Sequence, residues 1–200
     1  MSNVLFANDV DNLLSPDVRF MTDSTEGKDG AKEVIMDYVV SWTLRRAQNS
    51  CAVEKPILYN YCRRFLGLLL NQTIKDDDIV TVETWKQDNY IDLWVHVSIN
   101  GISHDILIED KYYSNLHDDQ LTRYKEYFDK WLEENRKESM PHYYILSCMD
   151  SYDKKVSQYK VPDFKLICWD QMLEAMGCNN ADCEPSESDI FNEFWINWTD

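Results

Sequence analysis

Positive charge is scarce in this chain. Its 200 residues hold 20 Lys and Arg against 36 Asp and Glu, a formal net charge of −16. Affinity for nucleic acid comes largely from cations that neutralise phosphates, so such a chain repels DNA and RNA at long range unless its cations cluster. One cluster exists, formed by Arg45, Arg46, Lys55, Arg63 and Arg64. Its simplest reading is a set of solvated helix faces; its functional reading is a phosphate-binding patch using Arg45, Arg46, Arg63 and Arg64. Long apolar runs are also missing. Nothing approaches the roughly 18 residues of a membrane span, and the N-terminal stretch carries acids early with no basic start, so no signal peptide is expected. A disulfide framework is absent as well. Six cysteines (51, 62, 148, 168, 178 and 183) sit mostly in apolar runs without regular spacing, as expected of reduced thiols in a cytoplasmic protein. Cys178 and Cys183 bracket NNAD with no histidine nearby, a poor zinc set. What remains is 44% hydrophobic with seven Trp. That composition and length suit one folded domain over residues 1–200.

Periodicity gives the expected elements. A short helix is expected near residues 9–14. KEVIMDYVVSWTLRRAQ, from position 32, carries Val34, Tyr38, Val39 and Trp42 at helical spacing. Pro56 suits the first turn of a second helix whose stripe is Leu58, Cys62, Phe65 and Leu69. IVTVETWKQ reads as a strand. The segment from Ser114 to Glu138 reads as one long amphipathic helix with Leu121, Tyr124, Phe128 and Trp131 or Leu132 inward, and the aspartates of HDDQ suit its positive end. Strands are expected at 142–148 and 164–169, a helix from Asp170, and an aromatic-rich C-terminal helix over 188–198. Helices, three meandering strands, a long helix and further strands make a mixed α/β fold.

The most informative segment is YIDLWVHVSINGISHDILIEDK, from Tyr90 to Lys111. Asn-Gly between alternating residues is the strongest short-range hairpin signal. A two-residue turn at Asn100 and Gly101 sets Ile99 against Ile102, and every opposed pair then sums to 201. Asp92 therefore faces Glu109, with Lys111 on the same face. Ile91, Leu93, Val95, Val97, Ile99, Ile102, Ile106 and Ile108 form an apolar face that must pack on helices. Asp92, Trp94, His96, Ser103, Asp105, Leu107, Glu109 and Lys111 form a mixed face.

Directly opposed residues have β-carbons about 4.5–5.5 Å apart, and two carboxylates that close repel unless a cation lies between them. Hard divalent magnesium takes one or two carboxylates, waters and substrate phosphate. It polarises the phosphate and lowers the pKa of water. A lysine beside that water offsets developing negative charge. Asp92, Glu109 and Lys111 suit that chemistry.

These residues resemble the PD-(D/E)XK nuclease superfamily, the restriction-endonuclease-like fold. The ID of YIDLWV and the IEDK of ILIEDKYYS fit its central motifs. HDDQLTRYKEYF is similar to the Gln-Leu-x-x-Tyr helix that follows the lysine in many members, and KEVIMDYVVSWTLRR is similar to the first helix of one bacterial branch, with Glu33 and Trp42 in its Glu and Trp places. The resemblance covers roughly residues 31–175. It implies an αβββαβ core, a mixed central sheet flanked by helices, and hydrolysis of phosphodiester bonds in DNA with Mg2+ or Mn2+. It also implies metal binding by Asp92 and Glu109, nucleophile positioning by Lys111, orientation by Gln120, and a second metal or site-shaping role for Glu33. The chain departs from the pattern at Ile91, where Pro is usual, at Asp110 for Asn, at Tyr90 for Arg, and in lacking a His-Gly feature after the first helix.

Competing readings stand beside these. Asp92, Glu109 and Lys111 also suit a cross-strand ion pair with a spare acid. Glu33 suits a first-turn acid on a helix dipole, and Gln120 a helix surface. His96 and His104 read as structural, Tyr124 as core, and Trp131, Trp169, Trp195 and Trp198 as packing. At the level of function, the alternative to an endo- or exonuclease is a nuclease fold turned protein-binding module, and a third reading is a nuclease subunit that takes its DNA-binding charge from a partner; a protein partner or homodimer is expected beside nucleic acid.

Overall fold

A computed structural model describes residues 30–88, 91–112, 114–116, 119–179 and 183–197. The helix expected near 9–14 lies outside them, as do Tyr90, Asp118 and Trp198. The elements run α1 (Gly30–Arg45), α2 (Pro56–Leu70), β1 (Val80–Asp88), β2 (Ile91–Ile99), β3 (Ile102–Lys111), α3 (Gln120–Asn135), β4 (Met140–Ser147), β5 (Lys165–Cys168) and α4 (Trp169–Met176). A short helical stretch, Asp189–Phe191, continues as a π-turn over Asn192–Ile196. No helix among the described residues is long and apolar enough to cross a membrane.

The five strands form one sheet in the order β1-β2-β3-β4-β5. β1, β2 and β3 pair antiparallel, and β4 and β5 join in parallel. The sheet is thus mixed, as expected. Asn100 and Gly101 form the hairpin turn with φ of 52° and 85°, the positive values an Asn-Gly turn supplies at little steric cost. Ile99 pairs with Ile102, and the register continues unslipped to Leu93 opposite Ile108.

The sheet carries a core on each face. On one side α1, α2, α4 and the C-terminal stretch cover Leu93, Val95, Val97, Ile106 and Ile108. The predicted stripe of α2 (Leu58, Cys62, Phe65, Leu69) is buried there. Trp195 fills the centre of this layer. Its ring stacks on Trp169 at 5.0 Å and 9°, lies 5.3 Å from Phe65, and donates its indole N–H to Thr43 Oγ1 at 2.9 Å. The Glu187 carboxylate accepts the backbone N–H groups of Ile57 and Leu58 at 3.1 and 3.0 Å, an acid on the positive end of α2. On the other side α3 covers Trp94 and Leu107 with Leu121, Phe128 and Leu132.

Four expectations are corrected. Ile91 belongs to the α3 side, not to the apolar face of Leu93. The β2–β3 ladder stops at Leu93, and beyond it a side chain, Asp92, takes the Asp110 N–H at 3.1 Å, so the alternating pleat ends there. Ile102 is 56% exposed beside the turn. On α1, Val34 and Tyr38 face solvent while Met36, Val39, Val40 and Leu44 are buried. The inward face of α1 also holds Asp37, Ser41 and Thr43, and these polar residues hide its true stripe. Finally, α3 begins at Gln120, because Asp119 has left-handed φ of 58° and its side chain makes no cap bond.

His104 is buried on the apolar face and shares a ring-nitrogen hydrogen bond with His142 at 3.1 Å.

Candidate metal centre

β3 delivers the site because the pleat puts Glu109 and Lys111 on one face, two residues apart. Lys111 Nζ lies 2.6 Å from Glu109 Oε1, and both side chains are buried. Gln120, the first residue of α3, donates Nε2 to the same oxygen at 2.8 Å and to the Tyr124 hydroxyl at 3.0 Å. Glu109 Oε1 is therefore held by two donors. Oε2 is buried with no N–H donor on it and has the Asp92 carboxylate as its acid neighbour, and Gln120 Oε1 is buried without a partner.

Asp92 reaches the cluster from β2. Its carboxylate meets Glu109, and Oδ2 accepts the Asp110 N–H. Burial raises Asp92 above the usual carboxylate range. Burial first, and the Asp92 charge second, push Glu109 up to about 8; Lys111 opposes this and does not win. Burial pulls the Lys111 ammonium down, but Glu109 beside it more than restores it, so it stays charged.

Glu33, in the first turn of α1, accepts the Tyr112 N–H at 3.1 Å and the Ser114 hydroxyl at 2.5 Å through Oε1. It thus fastens the chain just past Lys111. Among the described residues no three His, Cys, Asp or Glu are arranged to hold a metal ion. Glu33 reaches the site through Tyr112 and Ser114, beside Lys111.

Two carboxylates with a buried oxygen between them that no N–H reaches suit Mg2+ or Mn2+, which keep waters and need few protein ligands. Burying two ionised carboxylates this close costs free energy, which a proton on Glu109 relieves when no metal is bound. A cation at that oxygen removes the cost and the repulsion from Asp92 together.

One pair of acids escaped the sequence reading. Asp110 alternates to the opposite face of β3, where its fully buried carboxyl meets Asp37 of α1. Burial lifts Asp110 well above its ordinary value and Asp37 to about 7. Both acids are raised, Asp110 the more strongly, so the pair holds a proton between them and joins α1 to the strand behind the site. The signal was present: an acid on the core face of a strand needs a partner.

The four arginines do not form one patch. Arg63 is buried, bonded to the Tyr59 hydroxyl, the Lys75 carbonyl and the Asp78 carbonyl. Arg64 donates to the Met176 carbonyl at the end of α4. Arg64 is still exposed, while Arg45, which donates to the Ser41 carbonyl, and Arg46 lie at the end of α1 opposite Glu33.

Comparison with known proteins agrees with this arrangement. A family model described as the PD-(D/E)XK nuclease superfamily matches residues 19–188. No curated protein and no solved structure matches the chain. The match takes in every strand of the mixed sheet and the whole of the Asp92, Glu109 and Lys111 cluster. The chain belongs to the PD-(D/E)XK nuclease superfamily, with its restriction-endonuclease-like fold.

Proposed function

We propose that the protein hydrolyses phosphodiester bonds, with DNA as the substrate, using Mg2+ or Mn2+ held by Asp92 and Glu109. The observation that carries this is the buried Glu109 carboxyl in contact with Asp92, one oxygen pinned by Lys111 and Gln120 and the other reached by neither. The cation, when bound, supplies polarisation of the scissile phosphate and a lower pKa for the attacking water. The rest of the work belongs to this chain. Gln120 and Lys111 fix Glu109 so that one oxygen faces the ligand. The Lys111 ammonium orients the water and offsets negative charge as it grows on the phosphate. Glu33 positions the segment after Lys111. Among the described residues no disulfide joins the six cysteines, which suits a reducing cytoplasm.

The test is supercoiled-plasmid cleavage with magnesium or manganese, comparing wild type with Glu109→Ala and Lys111→Ala. Cleavage by wild type alone supports the assignment; equal cleavage by all three removes these residues from the mechanism. A second reading, a protein-binding module on a nuclease fold, draws support from the charge of −16. Calorimetric titration separates the two. One metal site that disappears in Asp92→Ala favours the enzyme, and no metal binding favours the module.

A further inference from the structure

Helix α1 leads away from the candidate centre with a surface unlike the rest of the molecule. The chain holds 36 acids, yet between Val34 and Arg46 the only one is Asp37, and it is buried. Val34, Tyr38 and Arg45 are exposed on this helix, with Trp42 and Arg46 half-buried next to them. Positions 34, 38, 42 and 45 or 46 follow one another at helical spacing, so they form a single row. Tyr38 is 61% exposed, a large ring left in solvent on a helix with ample core to join. Lys86 of β1 lies over that ring, and the Arg46 guanidinium stands 5.2 Å from the Trp42 ring centroid.

The row begins at the centre. Glu33 holds Tyr112, the residue after Lys111. Lys86 pairs with Leu93, the neighbour of Asp92. From Glu33 to Arg46 the helix advances about 20 Å at roughly 1.5 Å per residue. That length accommodates a few nucleotides of a single strand laid along the helix.

Alternating rings and cations match a single strand. Its unpaired bases stack on aromatic and guanidinium planes while its phosphates meet the charges. A duplex keeps its bases stacked inward and offers this row only phosphates, for which three cations are few in so acidic a protein. We infer that this face of α1 is a track that feeds single-stranded nucleic acid to the Asp92–Glu109 centre. The delivery rests on the nuclease reading; the binding itself does not.

Fluorescence anisotropy tests it, in EDTA, with a labelled oligothymidylate of about fifteen nucleotides and a blunt duplex of the same length. Wild type should bind the single strand about tenfold or more tightly than the duplex. Tyr38→Ala and Arg45→Ala, both at exposed positions, should each weaken it about five- to tenfold. Arg45→Ala should also reduce the salt slope by roughly 0.7. Equal affinity for duplex and single strand, or wild-type binding by both variants, overturns the track. Hydrolysis of bis(4-nitrophenyl) phosphate with manganese keeps the two readings apart, because this small diester does not reach Tyr38. Hydrolysis retained in both α1 variants and lost in Glu109→Gln supports the nuclease whatever the anisotropy gives. No hydrolysis by wild type sinks the nuclease, and the anisotropy still decides the track.

Discussion

Loading the centre with metal should expel a proton, and the number expelled should depend on pH in a defined way. Without metal, burial and then the Asp92 charge hold Glu109 at about 8, against an ordinary value of 4.5. A carboxyl titrating there is about nine-tenths protonated at pH 7. The ligand form is the carboxylate, so binding must displace that proton. We expect release of about 0.9 proton at pH 7, about 0.5 at pH 8 and about 0.1 at pH 9. The apparent affinity for Mn2+ should rise about ninefold from pH 6 to 7 and less than about twofold from pH 8 to 9. At pH 7 the proton costs binding about 1.4 kcal/mol. Asp92 is raised as well, so the proton belongs to the pair and not to one residue. The assay is calorimetric titration in buffers of different ionisation enthalpy, where the slope of apparent enthalpy counts protons. A slope near zero at pH 7, with affinity flat from pH 6 to 8, would mean that Glu109 is already ionised without metal or is not a ligand. The linkage also has a sign for folding. The folded value exceeds the unfolded one, so the native state keeps a proton that the unfolded chain loses above pH 4.5. Metal-free stability should fall as pH rises from there through about 8, and metal should offset the fall.

Two further outcomes are expected. Gln120→Ala removes one of the two donors that fix Glu109 Oε1 and should weaken Mn2+ binding about 10- to 100-fold, read by the same titration; unchanged affinity would place the orientation elsewhere. Asp105 is fully buried and accepts from Trp94 Nε1, Arg136 Nη1 and Ser139 Oγ, with His96 Nδ1 also at 3.0 Å. Asp105→Ala should cost about 3–5 kcal/mol in urea denaturation, since a buried network loses its only acceptor; a loss below about 1 kcal/mol would mean that water replaces the carboxylate.

The hairpin and its register were legible because strand period and turn chemistry are local rules, and Asn100-Gly101 obeys both. The α2 stripe was legible for the same reason. The inward face of α1 was not. Ser41 bonds Thr84, Thr43 takes the Trp195 indole, and Asp37 meets Asp110, partners that only the tertiary fold supplies. Val34 and Tyr38 read as core because periodicity weighs an apolar side chain without knowing what waits outside. The Asp105 hub was hidden likewise, since Arg136 and Ser139 lie past the far end of α3. At the centre, alternation placed Asp92, Glu109 and Lys111 together, but the end of the ladder at Leu93 and the turning of Ile91 arise from the Asp92 side chain replacing a backbone partner.

The order of synthesis meets the order of assembly awkwardly at Trp195. Helix α1 is made early and carries Glu33, yet Thr43 on its inner side waits for an indole that leaves the ribosome more than a hundred residues later. Phe191, Phe194 and Trp195 are all fully buried, although the family match stops at residue 188. A nascent chain that has already exposed Asp92, Glu109 and Lys111 can seat α1 on the sheet through Ser41 and Thr84, but Thr43 still lacks its indole partner. The helical layer on this face of the sheet would therefore be completed last, when the aromatic plug seats against Thr43 and Phe65.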